Sequence, residues 1–279
     1  MNEEALKNLV RPPAAEPAEV PAPVYRNGGE DRPKQKKREK YDVHGWIILD
    51  KPVGMTSTHA VSVMKRLCKA KRAGHAGTLD PLASGALPIA LGEATKTVPF
   101  VMDGRKLYRF TVRWGEERDT DDAEGRVIAR SDDRPSADAV RSLARDLGRA
   151  LGCFGHVSAL RRAAVGSFDE KTMILLEQLE ALCHRAASGE ASLADALMPV
   201  ETALDDIPAL AVSGADAARL QRGQAVLLRG RDAPNFRGTV YVTVSGRLLA
   251  LAELDRGEIV PKRVFNLAGL LGRAVRKKG

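Results

Sequence analysis

Asp80 stands immediately before Pro81 in the stretch GHAGTLDPLASGALPIALGEATK, residues 74–96, with His75 a few positions upstream. Proline disfavours helical backbone at the residue before it, so Asp80 sits in a pinned turn. A carboxylate held this way can serve as a nucleophile or a base once it is desolvated and paired with a cation. Asp-Pro is also a common turn dipeptide, and a lone histidine most often satisfies a local hydrogen bond. Neither residue by itself chooses between an enzyme and a binding module. Metal chemistry finds little footing: no Asp, Glu, His or Cys cluster has ligand-like spacing, and DTDDAE at residues 119–124 reads as a solvated turn. Cys68, Cys153 and Cys183 are odd in number and form no CxxC pair, which argues against a disulfide framework and points to a reducing cytoplasm.

The elements around Asp80 follow from periodicity. WIILDKPVGMTSTHAV predicts a short strand, a Pro-Val-Gly turn and a Ser/Thr cluster suited to capping a helix. Val61, Met64, Leu67 and Cys68 mark one face of that helix, with basic residues around the rest. After Asp80 the chain runs apolar from Ala86 to Leu91, as a buried segment would. KLYRFTVRWG sets Tyr108, Phe110 and Val112 against Leu107, Arg109 and Thr111, the alternation of a strand. SADAVRSLARDLGRALG and TMILLEQLEALCHRAA predict helices, the second capped by Thr172. Beyond about residue 204, QAVLLRG, GTVYVTVSG and RLLALAEL are short strands divided by Gly-bearing turns, a small all-β module.

The 279 residues carry a formal net charge of +8, which favours an anionic partner such as nucleic acid. No apolar run approaches the roughly 20 residues of a membrane helix, so no membrane is expected. Residues 1–41, rich in Pro, Ala and Glu and then in Lys and Arg, predict a disordered tail.

The string at residues 74–96 closely resembles the central motif of the bacterial tRNA pseudouridine synthase B (TruB) family. DKPVGMTST resembles that family's opening motif and YRFTVRWG its next strand. RSLARDLGRALGCFGHVSALRRAAVGSF resembles its late helix and loop, and the terminal strands its PUA-like RNA-binding domain. The resemblance extends over residues 43 to 265. It implies an α/β (α+β) pseudouridine synthase fold with a mixed, largely antiparallel sheet. The domains would be a catalytic one at residues 42–203 and the PUA-like one at 204–279. It implies an isomerase that converts uridine to pseudouridine at position 55 in the T-loop of tRNA, as a monomer, with no cofactor and no metal. Asp80 would be the nucleophile, Tyr108 would stack beneath the uracil, and Arg141 would pair with Asp80. His75 would enter the T-loop as the base flips out. Leu160 would wall the base pocket, Lys51 would support the substrate site, and Arg161 and Arg162 suit phosphate contacts.

One departure from the family pattern stands out. The stretch between Tyr108 and Arg141 is some tens of residues shorter than the family places there and lacks its PPxYSAxK segment. A pocket tyrosine of the family is replaced by Ala139. Loss of inner strands should expose edges and apolar faces. If the fold persists, Arg141 is expected within about 4 Å of Asp80, with a small void beside Ala139. A noncatalytic tRNA-binding or tRNA-folding protein is the alternative reading of such a shortened chain.

Overall fold

The computed structural model describes residues 40–133, 152, 155–228 and 236–267. The N-terminal tail expected at residues 1–41, the helix expected at 136–152, and with it Arg141 and Ala139, fall almost wholly outside the described residues.

The N-terminal half is a mixed sheet ordered β4-β7-β3-β1-β9, with β2 added to β3 and β8 to β7. Strand β1 (Gly45–Lys51) runs antiparallel to β3 (Ala83–Leu91). Both are buried almost throughout, which accounts for the unbroken apolar run from Ala86 to Leu91. Strand β7 (Gly155–Val165) lies between β3, to which it is parallel, and β4 (Lys106–Trp114), to which it is antiparallel. Short β2 (Ala73–His75) pairs with the far end of β3, and β8 (Phe168–Asp169) turns back on β7, while β5 (Glu116–Arg118) and β6 (Val127–Arg130) form a separate antiparallel pair.

Helix α1 (Ser57–Leu67) packs on this sheet, and Thr56 caps it by accepting from the His59 N–H at 3.1 Å. Its core face is Ala60, Val63, Met64 and Cys68; Val61, expected on that face, is only half-buried. The helix expected from Thr172 begins later, as α3 (Leu176–Ala187), after the short α2 (Val98–Asp103). Thr172 instead ends a 3-10 turn, and Met173–Ile174 form β9 beside β1. A free sheet edge outbid the helical pattern there, because pairing satisfies backbone groups of β1 that would otherwise be left open.

The C-terminal half is a second sheet, ordered β10-β12-β13-β14-β11. It comprises β10 (Ala209–Ala211), β11 (Val226–Leu227), β12 (Gly238–Val244), β13 (Arg247–Asp255) and β14 (Glu258–Val264). Helix α4 (Gly214–Gln221) covers one face through Ala217 and Leu220. The two sheets share a core: Leu248, Leu251 and Phe265 pack into one cluster with Trp46, Ile48, Ala90 and Phe168. A polar latch seals the join. Lys96 pairs with Glu93 and donates to the Val264 carbonyl at 2.8 Å, while the Asn266 N–H donates to Glu93 at 2.8 Å. The GEATK end of the motif therefore fastens the second sheet and lies away from Asp80.

Cys68 and Cys183, far apart in sequence, meet in the core under α1 as free thiols. A hydrogen bond between them, with burial added, pushes the Cys68 thiol up.

Candidate active site

The topology brings three expected residues to one place. Strand β7 is central, so Leu160 lies opposite Phe110 of β4 on one side and Ala83 of β3 on the other. The Asp80 turn feeds directly into β3. A pocket of about 410 Å³ results, lined by Thr78, Leu79, Asp80, Tyr108, Phe110, Val157 and Leu160. It opens into a longer cleft of about 820 Å³ that runs past Pro81, Ser84, Arg109, Thr111 and Ser158. Asp80, Tyr108 and Leu160 converge; an acidic group faces an aromatic and an aliphatic wall across a space suited to a planar ring.

The turn carrying Asp80 is held by its backbone. Each of the five consecutive carbonyls from Gly77 to Pro81 accepts a hydrogen bond. Arg162 donates to Gly77 at 3.1 Å and to Thr78 at 3.3 Å. Ser57 donates to Leu79 at 2.9 Å, and the Ala83 N–H donates to Asp80 at 3.1 Å. Pro81 accepts from the Gly54 N–H at 2.7 Å and from Lys51 at 3.4 Å. The Asp80 side chain is exposed and, among the described residues, forms no ion pair. Desolvation and pairing are the conditions for its chemistry; the turn presents the carboxylate at the open mouth of the pocket, and Arg141, the partner that resemblance implies, lies outside the described residues.

Lys51 and Arg162 are both fully buried. Lys51, expected to support the substrate site, is enclosed by backbone: its ammonium donates to the carbonyls of Pro52, Met55 and Pro81 at 2.9, 2.7 and 3.4 Å. Burial holds its pKa below the ordinary 10.5, Asp80 pulls it up, and Arg162 adds to the lowering. The phosphate contacts expected of Arg161 and Arg162 are likewise not formed by free side chains. Strand alternation sends Arg162 inward, where its Nε also donates to Ala86 at 2.7 Å. Arg161 points the other way and forks onto both oxygens of Asp50 at 2.8 and 2.9 Å, with Glu170 on its Nε at 3.0 Å. Those carboxylates raise the Arg161 pKa, Asp50 most. Buried positive charge is costly without partners, so two interior cations beside the Asp80 turn mark where the fold wants a negative group.

Gly85 makes this arrangement possible. Its φ is +101°, and a Cβ there would lie 2.2 Å from the Arg162 carbonyl oxygen. Only glycine lets β3 and β7 close up so that the Arg162 guanidinium passes under the turn.

His75 sits on β2 opposite Ile89, half-buried, and is not part of the pocket lining. Burial, and then the charge of Arg162, hold its pKa below the ordinary 6.5. A lowered value means that the folded protein keeps the ring neutral while the unfolded chain already takes up a proton. His75 therefore costs stability as pH falls through 6.5. An NMR titration of the ring is expected to show a midpoint below 6.5; a midpoint above it would mean that a carboxylate faces the ring.

Ser57, Phe110 and the inward role of Arg162 were missed by reading the sequence. Phe110 was legible, being two positions from Tyr108 on a strand; Ser57 hid among residues that looked like helix caps.

Strand β4 is exposed on both faces: Leu107 is 56% exposed on one, Tyr108 and Phe110 39% and 44% on the other. Its only strand partner among the described residues is β7. A nine-residue strand so bare is the feature that loss of neighbouring residues would leave.

Comparison with known proteins identifies the family. Residues 65–162 match the model of the TruB family pseudouridylate synthase N-terminal domain. Residues 141–205 match the tRNA pseudouridylate synthase B C-terminal domain, and 208–265 the pseudouridine synthase II TruB C-terminal model. The tRNA pseudouridine synthase B of Rhodopseudomonas palustris is 58% identical, the match covering 92% of this chain and 90% of that one. Its counterpart in Nitrobacter winogradskyi is 60% identical over 85% and 86% of the two chains. The first alignment spans 332 positions, more than the 279 residues of this chain, so that relative carries residues with no counterpart here. Among solved structures, the archaeal box H/ACA sRNP Nop10-Cbf5 complex aligns with a TM-score of 0.60 at 26% identity, covering 80% of this chain and 86% of that one. An H/ACA RNP bound to a substrate RNA containing 2'-deoxyuridine aligns with a TM-score of 0.61 at 25% identity, over 80% and 85%. With relatives of 58 and 60% identity covering most of both chains, and family models that match from residue 65 to residue 265, the chain belongs to the TruB family of pseudouridylate synthases.

Proposed function

We propose that this chain isomerises uridine to pseudouridine at position 55 in the T-loop of tRNA, with Asp80 as the nucleophile. The observation that carries the reading is the convergence of Asp80, Tyr108 and Leu160 on one pocket of about 410 Å³. Tyr108 and Phe110 offer ring surface for a flipped uracil, and Leu160, the cross-strand partner of Phe110, extends the same apolar surface. Base flipping removes the target from its stack, and its arrival covers Asp80 from water. The carboxylate, already fixed in place, then acts on the ribosyl group. The Asp80 carboxylate bonds to the sugar carbon as the bond from that carbon to N1 breaks; the uracil turns within the pocket, and C5 attacks the same carbon and releases the carboxylate. The C5 proton leaves by way of Tyr108 and N1 ends protonated, so no proton is gained or lost overall. Atoms and electrons balance within the one nucleotide, so the reaction calls for neither metal nor redox cofactor. Arg141, placed by family resemblance, supplies the cation for Asp80.

The basic chain docks on tRNA through phosphates, as a monomer and in the cytoplasm; residues 204–279 act as the PUA-like RNA-binding domain. Affinity is expected to fall by roughly 10³-fold between 50 and 200 mM salt if about six phosphates are contacted. Filter binding across that range checks this, and a flat profile would remove the basic surface from docking.

A tRNA-binding protein without turnover is the second reading, favoured by the exposure of β4 on both faces. Conversion of a tRNA T-loop by this chain in the presence of a metal chelator separates the two. Product identifies the isomerase; binding with no product identifies the binder.

A further inference from the structure

We infer that Ser57 is a positioning residue for Asp80, a reading that rests on Asp80 being the nucleophile. Ser57 is 3% exposed and is the first residue of α1. Its Oγ makes two bonds to one neighbour: it donates to the Leu79 carbonyl at 2.9 Å and accepts from the Leu79 N–H at 2.9 Å. Both backbone polar groups of the residue before the aspartate are therefore held by a single hydroxyl.

Ser57 is not needed to cap its own helix, since Thr56 does that. Its hydroxyl is spent on a residue 22 positions away. Helix α1 is anchored through Ala60, Val63 and Met64 in the sheet core, so Ser57 carries the position of a rigid element to the turn. The other holds act on either side: Arg162 on Gly77 and Thr78, Gly54 and Lys51 on Pro81. At Leu79, among the described residues, only Ser57 acts on both polar groups. An exposed carboxylate has no packing of its own to orient it, so its aim comes from the backbone beneath it. Misplacement of a reacting group by about 1 Å can cost on the order of 10²-fold in rate.

The test compares Ser57→Ala, Ser57→Thr and Asp80→Asn with the parent chain, by single-site hydrogen exchange and by tRNA conversion. Ser57→Ala is expected to lose protection of the Leu79 amide by at least about tenfold while the amides of β1 and β3 stay protected. Its kcat is expected to drop by roughly 10- to 100-fold with KM unchanged, because the aim of the nucleophile and not the docking of tRNA is disturbed. Ser57→Thr keeps the hydroxyl and is expected to restore both the protection and the rate. Equal protection of Leu79 in Ser57→Ala and the parent chain overturns the inference, and exchange reads this without turnover. So does a full-speed Ser57→Ala beside a dead Asp80→Asn. An Asp80→Asn chain that still converts at the parent rate sinks the nucleophile assignment instead, whatever Leu79 shows. If Ser57→Ala unfolds globally, Ser57→Thr carries the test: a protected Leu79 amide with the parent rate supports the clamp, and an unprotected amide at the parent rate overturns it.

Discussion

Asp80→Asn is expected to abolish pseudouridine formation, by at least roughly 10³-fold, while tRNA affinity changes by less than about 0.7 kcal/mol. The amide keeps the shape of the side chain but cannot form the bond that the reaction needs. Stability should hardly move. The Asp80 side chain is exposed and forms no ion pair among the described residues, and such positions usually respond within about 0.5 kcal/mol. The turn itself is held by carbonyls and amides that the substitution does not touch. Conversion of a T-loop substrate, tRNA binding and thermal melting are measured on the same preparation. Turnover by Asp80→Asn at the parent rate would assign the chemistry to another group.

Restoring a family-length segment between Tyr108 and Arg141 is expected to raise both stability and conversion. Leu107 exposes 56% of its surface on the face of β4 away from the pocket. Covering it should contribute about 1 kcal/mol. For a chain of this size that corresponds to a melting temperature higher by roughly 2–4 °C. The unpaired edge of β4 would also gain a partner, which lowers the tendency of bare strands to associate. Conversion should rise because Tyr108 would be held from both sides instead of from β7 alone. Differential scanning calorimetry and the conversion assay read the two effects. An insertion that leaves both unchanged would show that the exposed strand is complete as it stands.

Much of the site was legible because it is local. Pro81 restricts Asp80 in any context, the alternation from Leu107 to Arg113 can only be a strand, and the run from Ala86 to Leu91 demands burial. Arg161 and Arg162 were harder. Adjacent residues on a strand must face opposite ways, but which one turns inward depends on the register of β7 against β3 and β4. Both arginines looked like phosphate ligands; one became an interior support and the other the centre of a carboxylate cluster. Thr172 illustrates the same limit. Expected to cap a helix, it closes a 3-10 turn capped by Asp169 instead, and Met173 and Ile174 pair with the edge of β1 before α3 starts.

The sequence by itself determined the family, the buried run within the central motif, and the aspartate that the motif presents. Those follow from residue types at short spacing, where backbone preference and chemistry are decided within a few positions. Only the tertiary structure decided what holds that aspartate still. Ser57, Lys51 and Arg162 come from α1, β1 and β7, and their hydrogen bonds to the Gly77–Pro81 backbone exist only once those elements pack. It decided also that β4 stands bare on both faces, since exposure depends on which neighbours the folded chain retains.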